Sequence, residues 1–147
     1  MKIFFLLLIS ISSFSFSNKA LVTFKSKQSF NDTVKTVEAF IEEKGLKLFF
    51  IIDHKENAQR AGLKINNNKL FVFGNPKVGT PLIKSNPTFG IDLPVKILVY
   101  SNSSGNTLVS YNRPKKLSYK HSIAKDHPSI IKMSKVLSLL EKTINSH

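Results

Sequence analysis

Between Ala20 and Lys25 the residues Leu21, Thr23 and Lys25 alternate with Val22 and Phe24, the two-residue period of a strand. Ser29 then opens a helix, with Asp32 at capping-box spacing. Phe30, Val34, Val37 and Ile41 fall on one face of that helix. Gly45 suits the left-handed residue that ends it. Leu46 to Ile52 is apolar except at Lys47, which predicts a central strand buried on both faces.

Asp53, Glu56 and Gly62 frame a short capped helix, and its small Ala58 and Ala61 face predicts close packing on the sheet. Leu63 to Ile65 reads as another extended piece, Asn66 to Asn68 as a turn, and Lys69 to Phe73 as a strand. Gly74 to Pro94 holds four prolines and three glycines in 21 residues. That density predicts a long ordered loop or a set of short irregular pieces.

Val95 to Ser101 and Thr107 to Asn112 form a hairpin around a turn that contains Gly105. Lys115 to Lys125 is a basic connection without a clear pattern. Pro128 suits the first turn of a last helix, and Ile130, Met133, Leu137, Leu140 and Ile144 make a stripe at helical spacing. The sum is one α+β domain, an antiparallel-type five-stranded sheet with helices packed on it.

The N-terminus reads differently. Met1-Lys2 is a positive start, Ile3 to Ile11 is almost wholly apolar, and Ser15 and Ser17 supply small residues ahead of a cut after Ser17. This is the pattern of a cleaved secretory signal peptide. The apolar run is shorter than the roughly 20 residues that a membrane span requires. The expectation is therefore a signal peptide over 1–17 and a single domain over 18–147. The product would be periplasmic or secreted, with no membrane span after cleavage.

The chain has no Cys, which excludes a disulfide framework, a thiolate metal site and a cysteine nucleophile. Its 22 Lys and Arg against 9 Asp and Glu give a net charge of +13. All but two of the basic residues are lysine, spread along the chain, and the arginines are Arg60 and Arg113. Base and phosphate recognition favours arginine, so this charge reads as a solvated surface and no nucleic-acid partner is expected.

Several short motifs occur in one order: Ile52-Asp53-His54, Ala58, Gly62, Phe73-Gly74-Asn75-Pro76, Gly79-Thr80-Pro81-Leu82, Ile91-Asp92-Leu93-Pro94 and Tyr111. Together they resemble the bacterial domain of unknown function family 302 (DUF302), over roughly Leu21 to Ser122. The resemblance implies a TATA-binding-protein-like order of strand, helix, four strands and helix. It implies no settled biochemical function. A fold name carries no DNA binding with it, because function belongs to sites.

The candidate chemistry sits in these motifs. Asp53 reads first as an N-cap, with His54 in the first turn of the helix. The sharper reading makes His54 a general base or metal ligand, oriented by Asp53 or by Asp92. No ligand spacing of the H-x-H or H-x-x-x-H type accompanies it, so no metal or other cofactor is expected. Gly74, Asn75 and Thr80 suit either a rigid turn or a preformed rim that offers polar groups to a ligand, together with His54. No phosphate-loop motif is present, and the glycines open no evident helix. Phe49, Phe50, Phe71 and Phe73 read as core.

Three functions remain open on these residues. The favoured one is a small binding or interaction domain without chemistry, holding a small molecule or forming a homodimer through an exposed strand. The second is an enzyme that uses His54 with Asp53 or Asp92. The third is binding of an anionic polymer or lipid surface through lysines, which would weaken steeply with salt.

Overall fold

A computed structural model describes residues 19–146. The expected signal peptide lies outside these residues. Five strands form one antiparallel sheet: β1 (Leu21–Lys25), β2 (Lys47–Asp53), β3 (Asn68–Gly74), β4 (Val95–Ser101) and β5 (Thr107–Asn112). Their spatial order is β1-β5-β4-β3-β2. β2 to β5 therefore form a meander, and β1 closes the far edge beside β5.

Two long helices cover one face of the sheet. In α1 (Phe30–Glu43), Ser29 Oγ accepts the Asp32 N–H at 3.1 Å, and Val34, Val37, Phe40 and Ile41 are buried. Gly45 follows with φ +58°, the left-handed turn its lack of a side chain permits. α5 (Pro128–Asn145) buries the whole expected stripe of Ile130, Met133, Leu137, Leu140 and Ile144. These helices meet Phe71, Phe73, Ile97, Val99, Val109 and Tyr111 of the sheet in one apolar cluster. Tyr111 Oη donates to Glu141 Oε2 at 3.2 Å, which ties β5 to α5.

Several expectations are corrected. Leu46 to Ile52 is not a central strand, because β2 lies at the sheet's edge and Phe50 is 67% exposed. An apolar run states what a strand can bury, while its neighbours decide what it does bury. The register also slips between Leu48 and Phe50, so the strand carries a bulge of the kind common at sheet edges. Of the four phenylalanines read as core, Phe71 and Phe73 are buried, Phe49 is half-buried and Phe50 is exposed.

The helix after β2, α2 (His54–Arg60), buries no residue, so its small face does not pack tightly on the sheet. Leu63 to Ile65 is irregular and exposed, and Asn68 already belongs to β3. Residues 74–94 are mostly helical rather than looped, with α3 (Pro76–Ser85) followed by a 3₁₀ turn (Pro87–Ile91). The basic connection begins with α4 (Pro114–Lys120). Here proline marks starts: Pro76, Pro87, Pro114 and Pro128 each stand in the first turn of their helix, where no N–H is needed.

Candidate functional site

β3 ends at Gly74, and the next residue turns the chain into α3. Asn75 Oδ1 accepts the Lys77 N–H at 2.9 Å, so the side chain caps the helix. Gly74 and Gly79 do stand at a helix start, contrary to the sequence reading. Gly79 is close to the segment that leads into β4: a Cβ there would lie 3.2 Å from Leu93 Cδ1. The Leu93–Pro94 peptide bond is cis.

α3, the 3₁₀ turn, the ends of β3 and β4, and α5 enclose a cavity of about 260 Å³. Its walls are mostly apolar, from Phe49, Val78, Ile83, Leu93, Pro94 and Met133. Gly74, Asn75 and Thr80 line it as well. Asn75 is engaged in its cap, whereas no partner holds the exposed Thr80 hydroxyl among the described residues. A smaller hollow of about 50 Å³ shares Gly74, Asn75, Val78, Val95 and Met133 with this cavity and reaches Lys132. Such an arrangement can hold a compact apolar group by burial and orient it by one or two polar contacts.

Asp92 is placed elsewhere. His121 Nε2 lies 2.5 Å and Lys120 Nζ 2.9 Å from Asp92 Oδ2. His121 is 5% exposed, with its Nδ1 2.8 Å from Thr88 Oγ1 and its ring centroid 4.9 Å from that of Phe89. Asn86 Nδ2 donates to the His121 carbonyl at 2.8 Å. The result is a polar strut that fastens the 3₁₀ turn to the α4–α5 junction. Burial works to raise the Asp92 carboxyl, but bonds from His121 and Lys120 outweigh it and hold it below the usual value. None of Thr88, His121 and Asp92 lines the cavity.

His54 stands exposed at the start of α2 and makes no side-chain hydrogen bond or ion pair among the described residues. Asp53 caps α2 by accepting the Glu56 N–H at 3.0 Å and lies 3.4 Å from Lys69 Nζ. The Glu56 bond, chiefly, holds its carboxyl below the ordinary value, with burial opposing and Lys69 assisting. The structure thus brings Gly74, Asn75 and Thr80 together at one cavity. It brings neither His54 nor Asp53 to Asp92. Among the described residues no three His, Asp or Glu side chains are grouped to hold a metal ion.

A single antiparallel sheet, two long helices on one face and an apolar cavity at the sheet's end define a compact α+β domain. The chain belongs to the family described as domain of unknown function DUF302, whose sequence model matches residues 22–146. A crystal structure of an uncharacterized conserved DUF302 protein from Bacillus stearothermophilus superposes with a TM-score of 0.76. That pair is 19% identical, covering 86% of this chain and 98% of the other, so it speaks for the fold alone. The chain is also 35% identical over 109 residues to "Fluoride-specific ion channel FluC 1" of Brucella suis and of Brucella abortus. The match covers 74% of this chain but only 43% and 40% of those proteins, so the chain spans less than half of each.

Sequence reasoning found the cavity's rim and missed its walls. Met133 read as one more member of the core stripe, and Phe49 as part of a buried strand. His121 sat in an unpatterned basic stretch, and nothing local linked it to Asp92, 29 residues earlier.

Proposed function

We propose that this chain is a small-ligand-binding domain without chemistry of its own, working in the periplasm or outside the cell after removal of residues 1–17. The observation that carries the reading is the cavity of about 260 Å³, apolar in its walls and polar at Asn75 and Thr80. It suits a compact, largely apolar molecule with one hydrogen-bonding group placed at the Thr80 hydroxyl. Export is supported by the Met1 to Ser17 sequence pattern. In the Brucella proteins the matching part accompanies a larger remainder. No described helix here is long and apolar enough to cross a membrane, which supports reading the shared part as an accessory to a channel rather than its pore.

Native mass spectrometry of the protein purified from its host tests this. The expected spectrum shows the mass of a chain cut after Ser17, plus a small organic mass that Met133→Trp removes by filling the cavity. An unliganded mass, with no thermal stabilisation by any of a panel of small apolar compounds, would refute the ligand reading.

A groove on the outer face of α5 supports a second reading. Lys115, Lys135 and Lys142 line it beside Ile131, Leu139 and two serines, with no carboxylate. This suits an anionic lipid surface, where apolar side chains enter and lysines meet head groups. Vesicles with anionic lipid should bind the protein at low salt and release it at high salt, and Lys135→Glu should abolish the binding.

A further inference from the structure

The sheet's second face is the largest feature that the proposed function leaves unused. The register of the strands sets Phe50, Val72 and Lys96 in one row across it. Ile52, Leu70, Leu98, Ser110 and Thr23 make the next row, and Tyr100 and Leu108 belong to a third. None of these side chains belongs to either apolar cluster of the domain. An antiparallel sheet with one wet face places polar residues on that face. Here the positions are chiefly Leu, Ile, Val, Phe and Tyr.

The polar groups near the middle of this face are already satisfied within it. Thr23 Oγ1 and Ser110 Oγ hydrogen-bond to each other at 2.7 Å. Lys96 Nζ turns to the Pro94 carbonyl at 3.1 Å and the Asp92 carbonyl at 3.4 Å, at the end of β4. Lys25 stands at the end of the edge strand β1. No carboxylate lies in these rows. Covering the centre of the face would strand no polar group and desolvate no charge there, while Asn68, the Tyr100 hydroxyl and Lys25 lie in its last row.

From these observations we infer that the open face is the seat of a second copy of this chain, packed sheet on sheet about a two-fold axis. An acidic partner or an anionic membrane would need presented cations, and the central lysine is turned aside. A second copy needs only a face that is apolar and internally satisfied at its centre, which each copy supplies to the other. Five strands about 4.8 Å apart, with about six residues of about 3.4 Å each, make a face of roughly 24 by 20 Å. That is on the order of 500 Å² before side-chain relief, approaching the roughly 800 Å² per partner of a standard interface. β4 is the middle strand and Leu98 its middle residue, so the axis passes near Leu98.

Sedimentation of the purified chain over a wide concentration range tests the inference. The expected result is a monomer–dimer equilibrium that tightens as salt rises, because screening relieves repulsion between copies of net charge +13. Leu98→Lys should leave the far-ultraviolet circular dichroism unchanged and the protein monomeric. The chain has no Cys, so Leu98→Cys supplies a unique thiol. A short bismaleimide should join two copies of that variant, and should leave Ser103→Cys in the hairpin turn unjoined. A protein monomeric at every concentration would overturn the proposal. So would a dimer that cross-links through Phe50→Cys on the sheet edge and not through Leu98→Cys, or a dimer that salt dissociates. If Leu98→Lys fails to fold, the cross-linking result decides alone.

Discussion

His121 Nε2 meets Asp92 Oδ2 at 2.5 Å, so the carboxylate that precedes β4 is held by the junction of α4 and α5 and not by His54. Removing either partner leaves the other short of a bond in a half-closed site. Asp92→Ala should destabilise the domain by about 1–3 kcal/mol in urea unfolding at neutral pH.

The pair also carries a pH dependence. The Asp92 carboxyl sits below its ordinary value of 3.8 in the folded protein. Its contribution is therefore present above that value and lost as pH falls through the lower, folded one. Wild type should lose stability faster than Asp92→Asn on acidification below about pH 4. Parallel unfolding curves for the two proteins through that range would remove this assignment.

Tyr111 predicts a change at the other end of the scale. Burial, with the Glu141 carboxylate beside it, pushes its hydroxyl up from 10.0 to about 12. An unfolded chain ionises first, so this contribution is full below pH 10 and fades as pH rises toward 12. In an ultraviolet titration the Tyr111 step should fall above the ordinary tyrosine value of 10.0, and Glu141→Gln should bring it earlier.

The stripe of α5 separates core from surface by position alone. Leu137 is 2% exposed and Leu139 44% exposed. Leu137→Ala should cost about 2–5 kcal/mol, while Leu139→Ala should stay within about 0.5 kcal/mol. Equal losses would mean that the outer face of α5 is covered.

Gly79→Ala should separate stability from binding. Alanine favours the helix by up to about 1 kcal/mol, while its Cβ presses the end of Leu93 at 3.2 Å. The flexible Leu93 tip yields toward the cavity, so thermal stability should change little and affinity for a cavity ligand should fall. Unaltered affinity would place the ligand elsewhere.

Much of this fold was legible because its signals are local. The capping pair of Ser29 and Asp32, the hairpin around Gly105 and the stripe from Ile130 to Ile144 each lie within a few turns of chain. What could not be read depended on neighbours distant in sequence. Nothing in Leu46 to Ile52 says that this strand has a neighbour on one side only. Pro76 and Pro87 looked like loop residues by composition, although proline is at home in a helix's first turn. The rim residues Gly74, Asn75 and Thr80 were legible as a set because they lie within seven positions. The partnership of Asp92 with His121 was not, because it takes the intervening β4–β5 hairpin and α4 to bring them together.

The sheet order has a consequence for how the protein is made. Strands β2 to β5 pair with their neighbours in the order in which they are synthesised. β1 is made first, yet its only partner is β5, and Thr23 waits 87 residues for Ser110. The edge strand therefore has no strand to pair with until β5 has emerged, and joining it closes a long loop that contains the other three strands. A chain threaded through a membrane in an extended state would carry its opening strand across unpaired, and its sheet would be completed only on the far side.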